Sequence, residues 1–352
     1  MKILSVVGAR PQFVKLAPIA HEIERRGLGH VVVHTGQHYD ANMSDAFFRD
    51  LKIPQPAVNL AVGSAKHGAQ TGLMMMGLEP VFEEQRPDWI LAYGDTNSTL
   101  AAALCATKLQ IPLAHLEAGL RSFNRSMPEE HNRILTDHSA DLCLAPTEAA
   151  MGHLAREGLA DKSMLVGDVM TDVLVRTAKQ VIESPVYSPI AKGGEQYYFA
   201  TIHRPSNTDS LEQLVGIMNA LRSLPLTVYL AAHPRLVSRA ETHGISLSGG
   251  NVRSVPPLSY PQLVQAVVGS SGVITDSGGL QKEAFLLGVV TTTVRPDTEW
   301  VETLADGWNE LVGKPQDIAS SVTRQRPEQQ RGAPYGDGNS APRVVSCLVD
   351  DV

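Results

Sequence analysis

Three carboxylates of this 352-residue chain are expected to meet at one edge of a sheet, where short apolar strands end. Asp95 and Glu117 each follow such a strand, and Glu129 stands twelve residues beyond Glu117. Carboxylates that converge at one edge shift one another's pKa and suit general acid and base catalysis. An N-terminal helix cap is the alternative interpretation of Asp95. The first half of the chain therefore predicts an acid–base site.

Two cations accompany the first apolar run. Arg10 and Lys15 lie beside the predicted start of a helix, where backbone N–H groups and the helix dipole favour an anion. A solvated turn carries the same residue types, so an anion site and a surface turn both stay open.

Two histidines of the second half each follow a strand and precede an arginine closely. His203 stands next to Arg204, and His233 stands two residues before Arg235. Such turns suit oxyanion or phosphate contacts, and a structural role for either histidine is the alternative.

The most specific feature is a strand that turns through two glycines into a helix. Ser277, Gly278 and Gly279 form this turn, and Glu283 follows one helical turn later. Backbone N–H groups and the Ser277 hydroxyl suit a diphosphate, while the carboxylate of Glu283 suits two sugar hydroxyls. A simple glycine turn does not explain the glutamate, so the second half predicts a nucleotide-sugar site.

The spacing of the residues argues against metal and cofactor sites. His115 and Glu117 share one strand face, but no cysteine or further histidine lies at metal-ligand spacing, so no metal is expected. No dinucleotide fingerprint, P-loop or zincin motif occurs, so no nicotinamide or other cofactor is expected. Cys105, Cys143 and Cys347 are predicted to be free thiols.

The net charge and the hydropathy of the chain exclude some classes of binding partner. The net charge of −7 and the pI near 5.9 argue against nucleic acid as a partner. The short apolar N-terminal run is too short for a signal peptide, and no run is long enough for a membrane helix, so a cytoplasmic protein without membrane contact is expected.

Apolar runs alternate with amphipathic stretches, which predicts βαβ units and parallel sheets. The expected strands are residues 2–7, 30–35, 89–93, 112–116 and 142–145, then, after a linker at 184–194, residues 197–201, 227–231, 252–255, 273–275 and 291–294. The fold class is therefore α/β, with two Rossmann-like doubly wound domains facing a cleft. The expected boundaries are 1–170 for the domain with the carboxylates, 171–335 for the domain with the nucleotide-sugar site and 336–352 for a C-terminal tail or helix.

The motifs, in order and spacing, resemble the non-hydrolysing UDP-N-acetylglucosamine 2-epimerases over nearly the whole chain. The shared stretches are Gly8-Ala9-Arg10-Pro11, Gln37-His38, Gly94-Asp95-Thr96, Glu117-Ala118-Gly119-Leu120-Arg121, Pro128-Glu129-Glu130, Asn132-Arg133, His203-Arg204, Asp276-Ser277-Gly278-Gly279 with Gln281 and Glu283, and Tyr335-Gly336-Asp337-Gly338.

The resemblance implies a GT-B arrangement, a homodimer, no metal and no redox cofactor. It implies anti elimination of UDP, giving a 2-acetamidoglucal, and re-addition of UDP with inversion at carbon 2. The implied catalytic residues are Asp95, Glu117, Glu129 and His203. The implied contacts to the UDP-sugar are Arg10, Lys15, His233, Ser277, Gly278, Gly279 and Glu283. The implied role is supply of an amino-sugar precursor for polysaccharide or another glycoconjugate.

The chain departs from the family pattern in three places. Trp300 stands where many members have arginine, and Ser206 stands where an acidic residue is common. Residues 39–44 differ from the run found in members activated by a second substrate molecule, which argues against such activation.

The expected substrate is UDP-N-acetylglucosamine, with UDP-2,3-diacetamido-2,3-dideoxyglucuronic acid as the runner-up. The carboxylate of the uronic acid would need a cation in the site. Arg121 or Arg125 would supply it, unless both pair with Glu129 or Glu130. A hydrolysing epimerase and a GT-B glycosyltransferase are the remaining alternatives. The transferase has no need of the three carboxylates.

Overall fold

The computed structural model describes residues 1–37, 53–190, 194–298 and 300–350, apart from the side chains of Arg10 and Pro11. The chain divides into two compact units. The first combines Met1–Val173 with Pro334–Val352, and the second is Leu174–Ala333. The segment 336–352, expected as a tail outside both domains, therefore groups with the first unit.

The first unit contains a seven-stranded parallel sheet in the order β3-β2-β1-β4-β5-β6-β7. Its strands are β1 (Lys2–Val7), β2 (Gly29–His34), β3 (Val58–Asn59), β4 (Trp89–Tyr93), β5 (Leu113–Leu116), β6 (Leu142–Ala145) and β7 (Ser163–Leu165). Its helices are α1 (Arg10–Arg25), α2 (His67–Gln85), α3 (Asn97–Leu109), α4 (Pro128–Ser139) and α5 (Glu148–Arg156), and α6 (Val169–Glu183) continues into the second unit.

The second unit contains a six-stranded parallel sheet in the order β10-β9-β8-β11-β12-β13. Its strands are β8 (Tyr197–Thr201), β9 (Thr227–Ala231), β10 (Val252–Val255), β11 (Gly272–Thr275), β12 (Thr291–Thr293) and β13 (Asn309–Leu311). The helices are α7 (Pro205–Thr208), α8 (Leu211–Ser223), α9 (Pro234–His243), α10 (Tyr260–Val268), α11 (Gly278–Leu286) and α12 (Ile318–Val322); α13 (Ser340–Asp350) returns to the first unit.

The central strands of each sheet are buried on both faces, which explains why β1, β4, β5 and β8 are largely apolar. In β1, Ile3 and Val7 pack into one core cluster, while Leu4 and Val6 pack into another on the opposite face. Side chains alternate between the faces of a strand, so both faces need apolar residues when helices cover both. The predicted class, α/β with two Rossmann-like doubly wound domains, is confirmed. Among the described helices, none is long and apolar enough to cross a membrane.

The strand order reverses once in each sheet, next to the first strand of each unit. β1 lies between β2 and β4, and β8 lies between β9 and β11. In open α/β sheets, ligands bind at the carboxyl ends of the strands beside such a switch point. A ligand-binding site is therefore expected at the carboxyl ends of β1, β4, β8 and β11.

The helix α13 completes the core of the first unit. Val344 and Leu348 are fully buried in the cluster that also holds residues of α1. Arg26 donates hydrogen bonds to the carbonyl of Pro342 at 2.8 Å and to the hydroxyl of Ser346 at 2.9 Å. The last helix is thus an integral part of this unit.

Candidate active site

The ends of β1 and β4 are fastened together by one buried amide. Oε1 of Gln12 accepts the N–H of Gly8 at 2.8 Å, and its Nε2 donates to the carbonyl of Tyr93 at 2.7 Å. A Cβ on Gly8 would lie 2.1 Å from Oγ1 of Thr35 and 2.3 Å from Oγ of Ser98, so only glycine fits this approach. The switch point of the first sheet is therefore a fixed platform.

Lys15 and Glu117 form an ion pair at this edge, with side chains only 15% and 10% exposed. Glu117 adopts a φ of 72°, in the left-handed region that few non-glycine residues occupy. Its N–H and that of Ala118 both donate to the carbonyl of Leu144, which holds the turn after β5 in this shape. Such strain is typical of functional sites.

Gly94 lies directly against this ion pair. A Cβ there would stand 3.3 Å from both Nζ of Lys15 and Oε2 of Glu117. Burial lowers the pKa of Lys15, but the charge and hydrogen bond of Glu117, with the charges of Asp95 and Asp168, outweigh it and raise the pKa. Lys15 is therefore a firmly charged ammonium.

Asp95 faces a different cation. Its Oδ2 lies 2.6 Å from Nη2 of Arg133, and its carbonyl accepts a 2.9 Å hydrogen bond from Nδ2 of Asn132. Thr96, one residue later, is the N-cap of α3, so Asp95 does not fill the capping role considered from the sequence. The carboxylate is 31% exposed and open to a ligand.

Glu129 is less closely engaged. It stands in the first turn of α4 and is exposed, and no described residue forms an ion pair or hydrogen bond with its carboxylate. Its neighbour Glu130 is 2% exposed and accepts N–H groups of Ser122 and Phe123. The structure thus brings Lys15, Glu117 and Asp95 into mutual electrostatic range and leaves Glu129 facing solvent.

His115 has both ring nitrogens occupied by protein groups. Nδ1 lies 2.6 Å from Asp137 and Nε2 lies 2.7 Å from the carbonyl of Gly94. The other oxygen of Asp137 accepts the N–H of Gly119 at 3.1 Å. Among the described residues, no group of three or more potential ligands is arranged to hold a metal ion.

Arg121 cannot serve as the substrate cation considered from the sequence. Its side chain is 1% exposed and pairs with Asp137 at 2.7 Å and with Glu157 at 2.8 Å. Neither partner is the Glu129 or Glu130 suggested by proximity in sequence. Arg125, by contrast, is exposed, and no described acidic group pairs with it.

In the second unit, His203 is held by the buried Asp276 across the switch point. Its Nδ1 lies 3.0 Å from Oδ1, and the N–H groups of His203 and Arg204 donate to the same carboxylate at 3.0 and 2.8 Å. Burial raises the pKa of Asp276, but hydrogen bonds from His203, Asn207 and the Arg204 N–H outweigh it, so its pKa lies below the ordinary value. Asp276 is a fixed anion that orients His203.

His233 lies beside His203, with ring centroids 5.2 Å apart. Its Nδ1 accepts the N–H of Arg235 and caps α9, which leaves Nε2 for the ring proton of the neutral side chain. Burial, then the charge of His203, lowers the pKa of His233, although Asp276 opposes this. The neutral ring therefore presents an N–H donor.

The glycine turn opens α11 as predicted. Oγ of Ser277 accepts the N–H of Leu280 and caps the helix, and Gly278 and Gly279 form its first turn. The N–H groups of a first turn have no carbonyl partner inside the helix. One oxygen of Glu283 accepts the hydroxyl of Tyr260 at 3.1 Å.

Several positions that the sequence singled out fall outside this description. Arg10 is the first residue of α1, but its side chain lies outside the described part, as do His38 and residues 39–44. Conversely, Arg133, Asn132 and Asp137 were not among the candidates. Asn132 and Arg133 stand in a motif shared with the family, whereas Asp137 stands in none of the shared stretches. The partners of all three are far from them in the chain.

Comparisons with known proteins show which family this chain belongs to. A family model described as UDP-N-acetylglucosamine 2-epimerase matches residues 21–349. A Methanococcus maripaludis protein named UDP-N-acetylglucosamine 2-epimerase homolog is 42% identical over 355 residues, or 99% of each chain. A Pseudomonas aeruginosa UDP-2,3-diacetamido-2,3-dideoxy-D-glucuronate 2-epimerase is 42% identical over 359 residues, again 99% of each chain.

A similar solved structure is that of the Methanocaldococcus jannaschii UDP-GlcNAc 2-epimerase in complex with UDP-GlcNAc and UDP. The TM-score is 0.80 at 35% identity, and the match covers 99% of this chain and 100% of that chain. The family model and the relatives both extend over nearly the whole sequence. This chain therefore belongs to the UDP-N-acetylglucosamine 2-epimerase family, as the resemblance predicted, and is a UDP-sugar 2-epimerase.

Proposed function

We propose that this enzyme interconverts UDP-N-acetylglucosamine and UDP-N-acetylmannosamine by anti elimination of UDP and its re-addition. The observation that carries the proposal is the buried Lys15–Glu117 pair with Asp95 beside it, at the switch point of the first sheet. The ligands named for the Methanocaldococcus jannaschii structure support the substrate.

The elimination needs a base for the proton on carbon 2. As a carboxylate takes that proton, the electron pair of the carbon 2–hydrogen bond forms the carbon 1–carbon 2 double bond. The carbon 1–oxygen bond then breaks, and its electron pair leaves with UDP. In the return step, UDP oxygen attacks carbon 1 and an acid protonates carbon 2 on the opposite face. The two faces need two groups, and Asp95, Glu117 and Glu129 are the proposed set.

Two of these carboxylates are each held in place by a cation. Nζ of Lys15 forms an ion pair with Glu117, and Nη2 of Arg133 lies 2.6 Å from Oδ2 of Asp95. Glu129 has no such partner among the described residues, so no ion pair fixes the direction of its carboxylate.

The leaving UDP needs donors for the charge that develops on its diphosphate. His233 supplies a ring N–H group at the carboxyl edge of the second sheet, and His203, whose Nδ1 donates to Asp276, supplies one from Nε2 when its ring is protonated. The first turn of α11 supplies the N–H groups of Gly278 and Gly279 and the Ser277 hydroxyl. Glu283 is proposed to bind the ribose, and Arg10 the diphosphate.

Incubation with UDP-N-acetylglucosamine in D₂O, followed by NMR, tests the mechanism. The proposed route must exchange the hydrogen on carbon 2 with solvent, so deuterium accumulates there in both epimers. Epimer that keeps its original hydrogen would exclude elimination. Release of free N-acetylmannosamine as the main product would indicate a hydrolysing enzyme instead.

A second substrate, UDP-2,3-diacetamido-2,3-dideoxyglucuronic acid, is favoured by one specific observation. The Pseudomonas aeruginosa relative at 42% identity is named for this sugar. Since Arg121 is buried in two ion pairs, Arg125 is the remaining sequence-based candidate for the sugar carboxylate. Measuring kcat/KM for both UDP-sugars with the wild-type enzyme decides which of the two is the better substrate.

A further inference from the structure

Glu130 is a buried carboxylate in the first turn of α4, and its side chain is 2% exposed. Its Oε2 accepts the N–H of Ser122 at 2.8 Å and the hydroxyl of the same residue at 2.9 Å, and Oε1 accepts the N–H of Phe123 at 2.9 Å. Burial raises the pKa of Glu130, but these hydrogen bonds and one from Arg133 outweigh burial, so its pKa lies below the ordinary value. Glu130 is therefore a fixed anion within the first unit.

The hydrogen bonds of Glu130 shape the segment that connects Glu117 to α4. Phe123 adopts a φ of 57°, in the left-handed region that few non-glycine residues occupy, and its N–H is one of the donors to Glu130. A backbone in this region persists only when surrounding contacts hold it there. The carboxylate of Glu130 supplies such contacts and ties this segment to the start of α4, where Glu129 lies. The position of Glu129 relative to Glu117 thus depends on Glu130.

The same carboxylate contacts the cation that holds Asp95. Oε2 of Glu130 lies 3.2 Å from Nη1 of Arg133, and Nη2 of Arg133 lies 2.6 Å from Oδ2 of Asp95. A guanidinium group is planar and rigid, so a contact at one nitrogen limits where the other nitrogens can point. Glu130 therefore helps to direct Arg133 toward Asp95.

We propose that Glu130 is a positioning residue of the acid–base site and sets the relative places of Asp95, Glu117 and Glu129. It acts on Asp95 through Arg133, and on the other two carboxylates through the segment that follows Glu117. The proposal rests on the proposed function, which assigns the proton transfers to those three groups. Four protein donors already occupy the oxygens of Glu130, so it is not itself a member of that set.

Steady-state kinetics of Glu130→Gln in the full chain test this role. A glutamine keeps the size of the side chain, but it has one acceptor oxygen, and its NH₂ group would face protein donors. We expect kcat to fall about 10- to 100-fold, since displacement of catalytic groups by about 1 Å has effects of that size. KM should change less than about threefold, because the proposed UDP contacts of the second unit are untouched. Glu148→Gln removes an exposed acid from the first turn of α5, and this matched control should keep the wild-type kcat.

A double-mutant cycle separates positioning from a general loss of structure. If Glu130 acts on turnover through Asp95, Glu130→Gln should cost less in the Asp95→Asn background than in the wild type. The loss of kcat in Asp95→Asn/Glu130→Gln should therefore be smaller than the product of the two separate losses, by about threefold or more.

Arg133→Met tests the route to Asp95 while leaving the backbone hydrogen bonds to Glu130 in place. This variant should lower kcat about 10-fold with little change in KM. It also keeps the proposal testable if Glu130→Gln does not fold. An unchanged kcat in Arg133→Met would overturn the route through the guanidinium group.

Two results would overturn the role of Glu130 itself. One is an unchanged kcat in Glu130→Gln, and the other is a pair of losses that simply multiply in the double variant, which would show that Glu130 acts independently of Asp95. If either occurs while Asp95→Asn, Glu117→Gln and Glu129→Gln lose turnover, the proposed function stands without this residue. Wild-type rates in all three of those variants would overturn both proposals.

Discussion

Nδ1 of His115 lies 2.6 Å from a carboxylate oxygen of Asp137, and both side chains are fully buried in the first unit. The far nitrogen of His115 reaches the carbonyl of Gly94, and the second oxygen of Asp137 takes the N–H of Gly119. One buried pair therefore joins the turn that carries Asp95 to the turn that carries Glu117. Neither residue needs to touch the sugar to matter for catalysis.

We expect Asp137→Asn to lower kcat about 10²-fold, because displacement of catalytic groups by about 1 Å has effects of that size. The free energy of unfolding should also fall by about 3–5 kcal/mol, since Arg121 keeps a buried charge with one partner fewer. Steady-state kinetics and urea unfolding measure the two effects. Asp141→Asn is the control, because Asp141 accepts the N–H of Leu113 and a weaker hydrogen bond there should leave kcat unchanged. An unchanged kcat in Asp137→Asn would show that the pair is purely structural.

Neutral isosteres of the proposed acid–base groups should each fold but lose turnover. Asp95→Asn, Glu117→Gln and Glu129→Gln are expected to lower kcat about 10²–10⁴-fold, the effect typical of removing an acid or base. Glu22→Gln serves as the control, because Glu22 pairs only with arginines of α1 and its C-cap. Wild-type rates in any of the three variants would assign that carboxylate a structural or surface role instead.

Acid should weaken the first unit through Glu22. Hydrogen bonds from Arg25, then from Arg26 and the charges of both, outweigh burial and lower the pKa of Glu22 from 4.5 to about 2. A carboxyl whose pKa is lower in the folded state stabilises the fold above its unfolded pKa and loses this effect as pH falls through the folded value. Glu22→Gln should therefore be less stable than the wild type at pH 6, and the difference should shrink as pH falls from about 4.5 to 2. Urea titrations at several pH values measure it, and a difference that is constant with pH would contradict the assignment.

Chelation should leave the activity intact. The sequence has no metal-ligand spacing, and both nitrogens of His115 are bonded to protein groups. Epimerisation measured after EDTA treatment, without added nicotinamide, should match the untreated rate. A loss that one divalent metal restores would revive the metal site considered for His115 and Glu117.

Arg125→Ala should distinguish the two candidate substrates. If the uronic acid is the substrate, removal of this exposed guanidinium should lower its kcat/KM and spare UDP-N-acetylglucosamine, because only the former carries a sugar carboxylate. If UDP-N-acetylglucosamine is the natural substrate, we expect the kcat/KM of Arg125→Ala for this sugar to be close to that of the wild-type enzyme. Arg156→Ala, at another exposed arginine of the same unit, is the matched control. Much faster turnover of the uronic acid that vanishes only in Arg125→Ala would overturn the first choice of substrate.

The central strands and the edge strand β10 were predicted from the sequence, whereas the other edge strands were not. The strands β3, β7 and β13 are two or three residues long, and Met164 and Leu165 of β7 are 49% and 43% exposed. A short, half-exposed edge strand carries little hydrophobic pattern. The glycines and Pro80 of α2 are typical of turns, so this helix has little helical signal in the sequence.

Part of the candidate site was proposed from the sequence, but its pairings could not be. Strand ends pointed to Asp95 and Glu117, because parallel strands present their carboxyl ends at one edge. The partner of Asp95 is Arg133, 38 positions later, and that of Arg121 is Glu157, 36 positions later. Charges close in sequence suggested other partners for Arg121. Tertiary packing, which sequence spacing does not encode, decided these pairs.

The return of the chain to its first unit at Pro334 makes the second unit an insertion within the first. During synthesis, α1 and its sheet emerge long before the residues of α13 that cover them, among them Val344 and Leu348. The second unit, by contrast, is continuous and is complete once Ala333 has left the ribosome. The nascent chain can therefore finish its later unit first, while the earlier one keeps an uncovered apolar surface until the final helix is made.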